Sequence, residues 1–526
     1  MSALQNLVGI DLGTCYSSIA VLNEQGYART IPNQQGEAST PSVVYYSEEG
    51  PIVGTPAEEA YREHPERVVF HSKRSLGKSG VNWEIDGVEN TPVDVAAVIL
   101  RKLKKDAEKK IGRVKQVVIT VPAHFSSHQR QLTLEAAGQA GLEVLEILNE
   151  PVAAALCHIL GEEGVAYSGL ANSQRVLVYD LGGGTFDLSL VDYQTDNIQV
   201  LSARGDLNLG GIDWNQRLID FVAQDIAQKH GIDPRGPKHR RAFAELALAV
   251  ERAKRDMSGK DHKVPIRCQV LREKHATYID RQLFEKLTGD LMVRTRAMLE
   301  QLVKAAPNRI TPGRPGGWPD IDALLLVGGS SRMPMIRDMV KGLAPGQRIK
   351  EIDPELSVAH GAAIYAGLLA SQRGDASANN SALERFQSIS TQQVSTLTLG
   401  MVVRNDAGKN ELHPLIPKDS PLPAAARVTV STIRQDQRRV AIRIMEVEHA
   451  AGMCECVIDD LPENLPEGSR FDVDLTYRPG GVLQVVAQHR KSGLLSTVSV
   501  VPGLKPNGKK PAPRIQLPEA PSDWNQ

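Results

Sequence analysis

Two glycine-centred turns in this sequence carry the residue types needed to hold a polyphosphate. The first is Ile10-Asp11-Leu12-Gly13-Thr14-Cys15-Tyr16-Ser17 and the second is Asp180-Leu181-Gly182-Gly183-Gly184-Thr185-Phe186-Asp187. Each follows an apolar run ending in Asp, and each leads into another apolar run, Ser18 to Leu22 and Leu188 to Val191. A tight turn through glycine leaves backbone N–H groups unpaired and lets them approach an anion with no Cβ in the way. Gly13 on one side and Gly182, Gly183 and Gly184 on the other can therefore grip phosphates from opposite directions, with Thr14 and Thr185 adding hydroxyl donors. The carboxylates of Asp11, Asp180 and Asp187 would repel such a ligand unless a cation lay between. Mg²⁺ suits that place because it keeps waters that carboxylates can hold. A lone Asp-Leu-Gly-Thr is ordinarily strand-to-turn punctuation, whereas the triple-glycine version behind an apolar run is far more specific.

A third glycine turn, Val327-Gly328-Gly329-Ser330-Ser331-Arg332, follows the apolar run Leu324 to Val327 and opens a helical pattern. It reads either as close backbone approach to a flat base or ribose, or as a plain strand-to-helix turn. Upstream, Glu251, Lys254, Arg255 and Ser258 fall at helical offsets of three, four and seven and share one helix face. Alone, such a face is a solvated charged stripe; the three glycine turns give it meaning.

The elements that must position these residues follow from the rest of the chain. At 526 residues it exceeds what one hydrophobic core usually supports, so two or more domains are expected. Hydrophobic residues are 41% and charged residues 23%, a globular composition, and with aromatics at 4% the cores must be aliphatic. Lys plus Arg number 61 against 62 Asp plus Glu, a balance with no long-range pull toward nucleic acid or an anionic membrane. Five scattered cysteines, Cys15, Cys157, Cys268, Cys454 and Cys456, suit a reducing cytoplasm better than a disulfide framework. The start has no basic segment ahead of an apolar one, so no export signal is expected, and no apolar run is long enough to span a bilayer. The basic stretches Arg101 to Lys110 and Lys238 to Arg241 lack stacking aromatics and read as solvated helix faces.

From Leu7 to about Ala370, short β-branched runs alternate with long helical patterns, which predicts α/β layers. Residues 371–391, rich in Ser, Ala, Asn and Gln, read as a polar linker. Alternating strands are expected around Leu397 to Val403, Ala426 to Ser431, Val440 to Val447, Cys454 to Ile458, Phe471 to Tyr477 and Leu483 to His489. The turn at Asn405-Asp406-Ala407-Gly408 is one of those between them, and together they predict an all-β sandwich over 392–503. Residues 504–526, rich in Pro and Lys, are expected to be disordered.

The chain resembles the heat shock protein 70 family of DnaK-type chaperones over nearly its whole length. Ile10 to Ser17, Val121 to Arg130, Asn149 to Ala155, Asp180 to Asp187, Glu251 to Ser258 and Val327 to Arg332 match the family's motifs in the family's order. The resemblance implies a two-lobed, internally duplicated actin-like ATPase domain over 1–370 followed by a β-sandwich that binds peptides. It implies ATP and ADP as ligands, with Mg²⁺, and K⁺ as a further cation. Lys73 then matches the lysine that positions the attacking water, Glu150, Asp187 and Thr185 the groups that sense the nucleotide, and Pro122 and Arg130 the relay. Asp11 and Asp180 would hold hydrated Mg²⁺. Gly13, Thr14, Cys15, Tyr16 and Gly182 to Thr185 would bind the phosphates. Glu251, Lys254, Arg255 and Ser258, closed by Gly328, Gly329, Ser330 and Arg332, would form the adenosine pocket. In the sandwich, Met401, Val403, Val430, Ile433 and Val440 match peptide-contacting positions best, with core packing the alternative for each. The partners implied are unfolded or extended peptide segments, a J-domain co-chaperone and a nucleotide exchange factor.

The chain departs from the family in four places. Ser388 to Ser395 replaces the family's leucine-rich linker, no long helical segment follows the sandwich as a lid would require, the stretch from Lys73 to Glu150 is short, and Arg404 stands at an arch position where the family prefers an uncharged side chain. The expectation is therefore a lidless or truncated member that hydrolyses ATP and binds unfolded segments. The alternative is a nucleotide-switched scaffold holding one dedicated partner.

Overall fold

A computed structural model describes residues 7–23, 25–161, 173–194, 197–259, 262–270, 273–308, 314, 316–351, 353, 355–373, 386, 389–404, 409–458, 461–493 and 495–500. The expected tail 504–526, most of the expected linker 371–391 and the turn at 405–408 lie outside them. The chain divides into two compact units, one of Met1–His124 with Leu132–Thr391 and one of Phe125–Gln131 with Gln392–Gln526.

The first unit contains two six-stranded sheets built to the same plan. In one, Leu7–Asp11 lies between the parallel Gln116–Val121 and the antiparallel Tyr16–Leu22, with Glu143–Asn149 and Ala28–Thr30 beyond them on either side. In the other, Ser173–Leu181 lies between the parallel Ala323–Val327 and the antiparallel Phe186–Gln194, with Arg348–Glu351 and Asn197–Asp206 beyond them in the same sense. The sequence repeat of two hairpins therefore extends to the order and direction of five strands. Ser390–Gln392, at the end of the polar stretch, adds a last strand beside Asn197–Asp206.

Val176 to Leu181 and Ala323–Val327 are buried without a break, the pattern of strands covered on both faces. The helix Glu150–Leu160 and the nearly all-buried Ser357–Arg373 cross with backbone against backbone, since a Cβ on Gly361 would lie 1.7 Å from the Ala153 carbonyl oxygen. A Cβ on Gly9 would likewise sit 2.1 Å from the amide nitrogen of Ala363. This close approach seats the first strand, and with it the Asp11 turn, on a rigid base. In the second half of the unit, Trp214, Tyr179, Phe186 and Phe284 anchor a core of mostly aliphatic side chains.

The basic stretch Arg101 to Lys110 lies on the helix Pro92–Ile111, which is opened by a Thr91–Asp94 capping box. Its cations are exposed or half-exposed, as are Lys238, Arg240 and Arg241. No helix among the described residues is long and apolar enough to cross a membrane.

The second unit holds two four-stranded antiparallel sheets. Their orders are Asn410–Ile416, Leu399–Arg404, Val440–Glu446, Ala451–Ile458 and Ala424–Ser431, Arg470–Arg478, Val482–His489, Leu495–Val500. All six expected strands are present with ends shifted by a few residues, and Asn410–Ile416 and Leu495–Val500 are additional. Asn410–Ile416 escapes a pattern reading because it is polar and contains Pro414. Its place at a sheet edge explains both features, since an edge strand tolerates a missing N–H. Arg470–Arg478 alternates strictly, with Phe471, Val473, Leu475 and Tyr477 in the core and polar side chains between them.

Candidate functional site

The two glycine turns meet face to face. A Cβ on Gly183 would lie 2.3 Å from the Cys15 sulfur, and one on Gly184 would lie 2.4 Å from Thr14 Oγ1, so only glycine fits at either place. The first turn also closes on itself, because a Cβ on Gly13 would lie 2.0 Å from the Tyr16 carbonyl oxygen. Ser42 Oγ donates to the Gly13 carbonyl at 2.9 Å and fixes the turn from outside.

In the second turn three successive carbonyls are tied down. Gly211 N–H donates to Gly182 O at 3.0 Å, Ile212 N–H to Gly183 O at 2.9 Å, and Arg74 Nε to Gly184 O at 2.9 Å. Across a trans peptide the carbonyl and the next N–H point opposite ways. The N–H groups of Gly183, Gly184 and Thr185 are thereby presented on the other side of their peptide planes, a concave run of donors suited to an anion.

Around these turns charge is buried and unbalanced. Lys73 and Glu150 are both buried and form an ion pair at 2.5 Å, Lys73 from the 3-10 turn Ser72–Ser75 and Glu150 from the first turn of its helix. Asp11 ends the first strand and accepts from Thr120 Oγ1 at 3.0 Å. Burial, and then Glu150, push its carboxyl up to about 7 against the pull of Lys73 and Thr120. Asp180 is driven well above the carboxylate range by burial, then by Glu150, Asp187 and Asp11, with Lys73 opposing. Asp187 is 1% exposed and its Oδ1 accepts from the Ala123 N–H at 2.9 Å. Glu150, Asp187, Asp11 and Lys73 thus all act on Asp180, four carboxyl groups against one lysine, and a low-dielectric pocket with excess negative charge is stabilised by a cation.

The helix Arg240–Gly259 brings Glu251, Lys254 and Arg255 together. Lys254 Nζ donates to Glu251 at 2.8 Å and Arg255 Nε at 2.7 Å. Although burial pushes it upward, Lys254 and then Arg255 carry the Glu251 carboxyl down to about 2. Arg255 also lies over the Tyr16 ring, 5.2 Å from its centroid, and donates to the Tyr16 hydroxyl at 2.7 Å. Ser258 Oγ donates to the Lys254 carbonyl at 3.4 Å. Ser330 stands beside Lys254 across Gly211, where a Cβ would lie 2.3 Å from Ser330 Oγ and 3.1 Å from Lys254 Nζ. Gly328 has φ 78° and no room for a Cβ, which would sit 2.5 Å from Asp180 Oδ1. Arg332 is half-exposed, 3.8 Å from Glu355, whose oxygen lies 4.0 Å from a Cβ built on Gly329. The phosphate turn and the third glycine turn are therefore contiguous.

In the sandwich, Met401 and Val440 are core residues at 1% and 8% exposure, Val403 and Val430 pack half-buried against that core, and Ile433 is 51% exposed. Arg404 is exposed.

Several neighbours carry no local sequence signal. Arg74 adds to its Gly184 contact a bidentate pair with Asp213, at 2.6 and 3.2 Å. Asn215 donates to Glu251. His71, at a left-handed φ of 58°, lies 3.6 Å from the Cys15 sulfur, and burial pushes its imidazole down to about 4. Burial pushes the Cys15 thiol up to about 12. A basic residue after Lys73 and an Asp three residues past Gly210 have nothing to distinguish them until the fold joins them.

The chain is similar to known proteins over most of its length. The family described as Hsp70 protein matches residues 7–503. Among similar curated proteins, the chaperone protein DnaK of Thermotoga neapolitana is 38% identical over 488 residues, covering 91% of this chain and 75% of that protein. The chaperone protein DnaK of Thermosipho melanesiensis is 36% identical over 491 residues, covering 92% and 76%.

Proposed function

The chain belongs to the Hsp70 protein family of ATP-hydrolysing chaperones that bind unfolded proteins, and we propose that its hydrolysis runs between the two facing glycine turns. The contact of Gly183 and Gly184 with Cys15 and Thr14 carries this reading, since it leaves backbone donors from both halves around one anion. Gly13, Thr14, Cys15, Tyr16 and Gly182 to Thr185 bind the phosphates. Glu251, Lys254, Arg255, Ser258, Gly328, Gly329, Ser330 and Arg332 hold the nucleoside.

The family binds ATP and ADP with Mg²⁺. Here the fit of Mg²⁺ rests on the raised Asp11 and Asp180 carboxyls, pushed up by burial and then by Glu150, whose ionised forms a cation would favour. Among the described residues no three His, Cys, Asp or Glu side chains are grouped to ligate an ion directly. Asp11 and Asp180 would then hold the ion through its waters, with K⁺ as a second cation. When bound, the ion supplies charge neutralisation on the phosphates. Lys73 places the attacking water and steadies the γ-phosphate, Glu150 holds Lys73 by its ion pair, and Asp187 and Thr185 face the transferring group from the second turn. Catalysis in such a site comes from positioning and charge stabilisation.

For the sandwich we propose extended apolar peptides as ligands, with Val403, Val430 and Ile433 the accessible contacts and Met401 and Val440 supporting them from the core. J-domain co-chaperones and exchange factors are the partners proposed, and the cytoplasm the compartment. The scaffold alternative is not favoured by the family assignment. The deciding experiment measures a fluorescent apolar peptide with ATP, with ADP and without nucleotide. Nucleotide-dependent affinity is expected, and identical affinity in all three states overturns the coupled reading.

A further inference from the structure

Two neighbours approach the same oxygen of Asp187, one a backbone N–H and one a side chain. The Ala123 N–H donates to Oδ1 at 2.9 Å, while His124 Nδ1 lies 3.7 Å from that same oxygen, with the His124 side chain 10% exposed. Opposite them runs Asn197–Asp206, paired with the strand that carries Asp187 and bringing Gly205 level with it. A Cβ on Gly205 would lie 2.4 Å from His124 Nδ1 and 2.9 Å from Asp187 Oδ1. The absent side chain at 205 is therefore what lets the ring and the carboxylate share the space, so three separated stretches agree on one contact.

We infer that His124 is a positioning residue for Asp187 in ATP hydrolysis. At 3.7 Å the ring is too far for a hydrogen bond in this state. It is close enough that the Nδ1–H tautomer, or the imidazolium, attracts Oδ1 and needs a shift of under about 1 Å to bond it. With the ring drawn in, a second donor on Oδ1 would set the rotation of the carboxyl group and hence the direction in which its other oxygen is presented. An error of about 1 Å in such placement costs on the order of a hundredfold in rate. The ring acts on the reacting atoms through Asp187, so its loss should act on turnover and leave nucleotide binding alone.

The inference rests on the role proposed for Asp187, and the experiment separates the two. Single-turnover hydrolysis and ATP affinity are measured for His124→Ala, His124→Gln, Gly205→Ala and Asp187→Asn in the full chain. His124→Ala should lower the cleavage rate about ten- to a hundredfold with ATP affinity within about twofold of wild type. His124→Gln, which can still donate to Oδ1, should recover most of that loss. Gly205→Ala, which displaces the ring, should reproduce the loss, and His124→Ala should add little on top of Asp187→Asn. A wild-type rate in His124→Ala beside a slowed Asp187→Asn overturns the inference alone. A wild-type rate in Asp187→Asn overturns the role of Asp187 and the inference with it. If His124→Gln is as slow as His124→Ala while both bind ATP normally, the ring fills space and does not position, which also overturns it.

Discussion

The two halves of the first unit share a strand order and differ in what they attach to it. Leu7–Asp11 with Tyr16–Leu22 and Ser173–Leu181 with Phe186–Gln194 are antiparallel hairpins, each flanked by a parallel strand and each with an Asp at or next to the end of its first strand, Asp11 and Asp180. The first half turns through Gly13 alone, and its neighbour Lys73 brings the buried cation. The second half turns through three glycines, and it alone supplies the Glu251–Lys254–Arg255 cluster and the Gly328 turn. A duplicated scaffold thus places two Asp residues at matching strand ends, while the chemistry around them is one-sided. In the function proposed above, phosphate contacts divide between the halves and the nucleoside falls to the second.

The largest expected effect tests the first half. Lys73→Ala should leave ATP binding largely intact and raise the hydrolysis barrier by about 3 kcal/mol, because it removes the one buried cation from among four carboxyl groups. Single-turnover cleavage checks this, and an unchanged rate would take Lys73 out of the mechanism and with it the first half's main contribution.

Next come the glycines of the two turns, which should fail in different ways. In Gly13→Ala the new methyl meets the turn's own backbone at Tyr16, so the turn itself must open and the loss appears as lowered thermal stability. In Gly184→Ala the methyl meets the Thr14 side chain from the other half, so the halves are forced apart at a cost of about 1 to 3 kcal/mol, read chiefly as weaker ATP binding. Calorimetric titration and thermal unfolding on both variants separate these outcomes. Equal losses of affinity with no difference in unfolding temperature would mean that the turns do not divide their roles this way.

Much of this arrangement could be read from the sequence, for a physical reason. Glycine and Asp at a strand end are dictated locally, by backbone conformation and by the ligand's charge, so the hairpins and the helix face of Glu251 stand out in one dimension. Arg74, His71 and Asn215 do not, because what gives each its role lies across the fold. Arg74 serves a carbonyl 110 residues away and a carboxylate 139 residues away. The edge strand Asn410–Ile416 was hidden for the related reason that edges relax the alternation and donor rules on which strand patterns depend.

A smaller effect concerns the second half. With its carboxyl held near 2, Glu251 stays ionised when folded under conditions that protonate it when unfolded. Its contribution to stability is present above the ordinary glutamate range and is lost as pH falls from about 4.5 toward 2. Glu251→Gln should therefore flatten part of the acid-unfolding slope in that window and weaken nucleotide binding by about 1 kcal/mol through loss of charge-assisted bonds from Lys254 and Arg255. Acid titrations of stability that superimpose for the two proteins would show that the cluster is decoupled from folding.

The smallest effect bounds how far the second half's proposed hold on the nucleoside extends. Arg332 is 49% exposed and its ion pair with Glu355 is 3.8 Å long, a geometry typically worth under about 1 kcal/mol. Arg332→Ala should therefore leave thermal stability within error and lower ATP affinity by less than about threefold. That is the value expected if Gly328, Gly329 and Ser330 shape the third turn through their backbone and Arg332 only borders it. A tenfold loss in affinity without loss of stability would instead mean that the guanidinium packs on the bound base. The asymmetry between the halves would then be larger than the ion pairs around Glu251 account for.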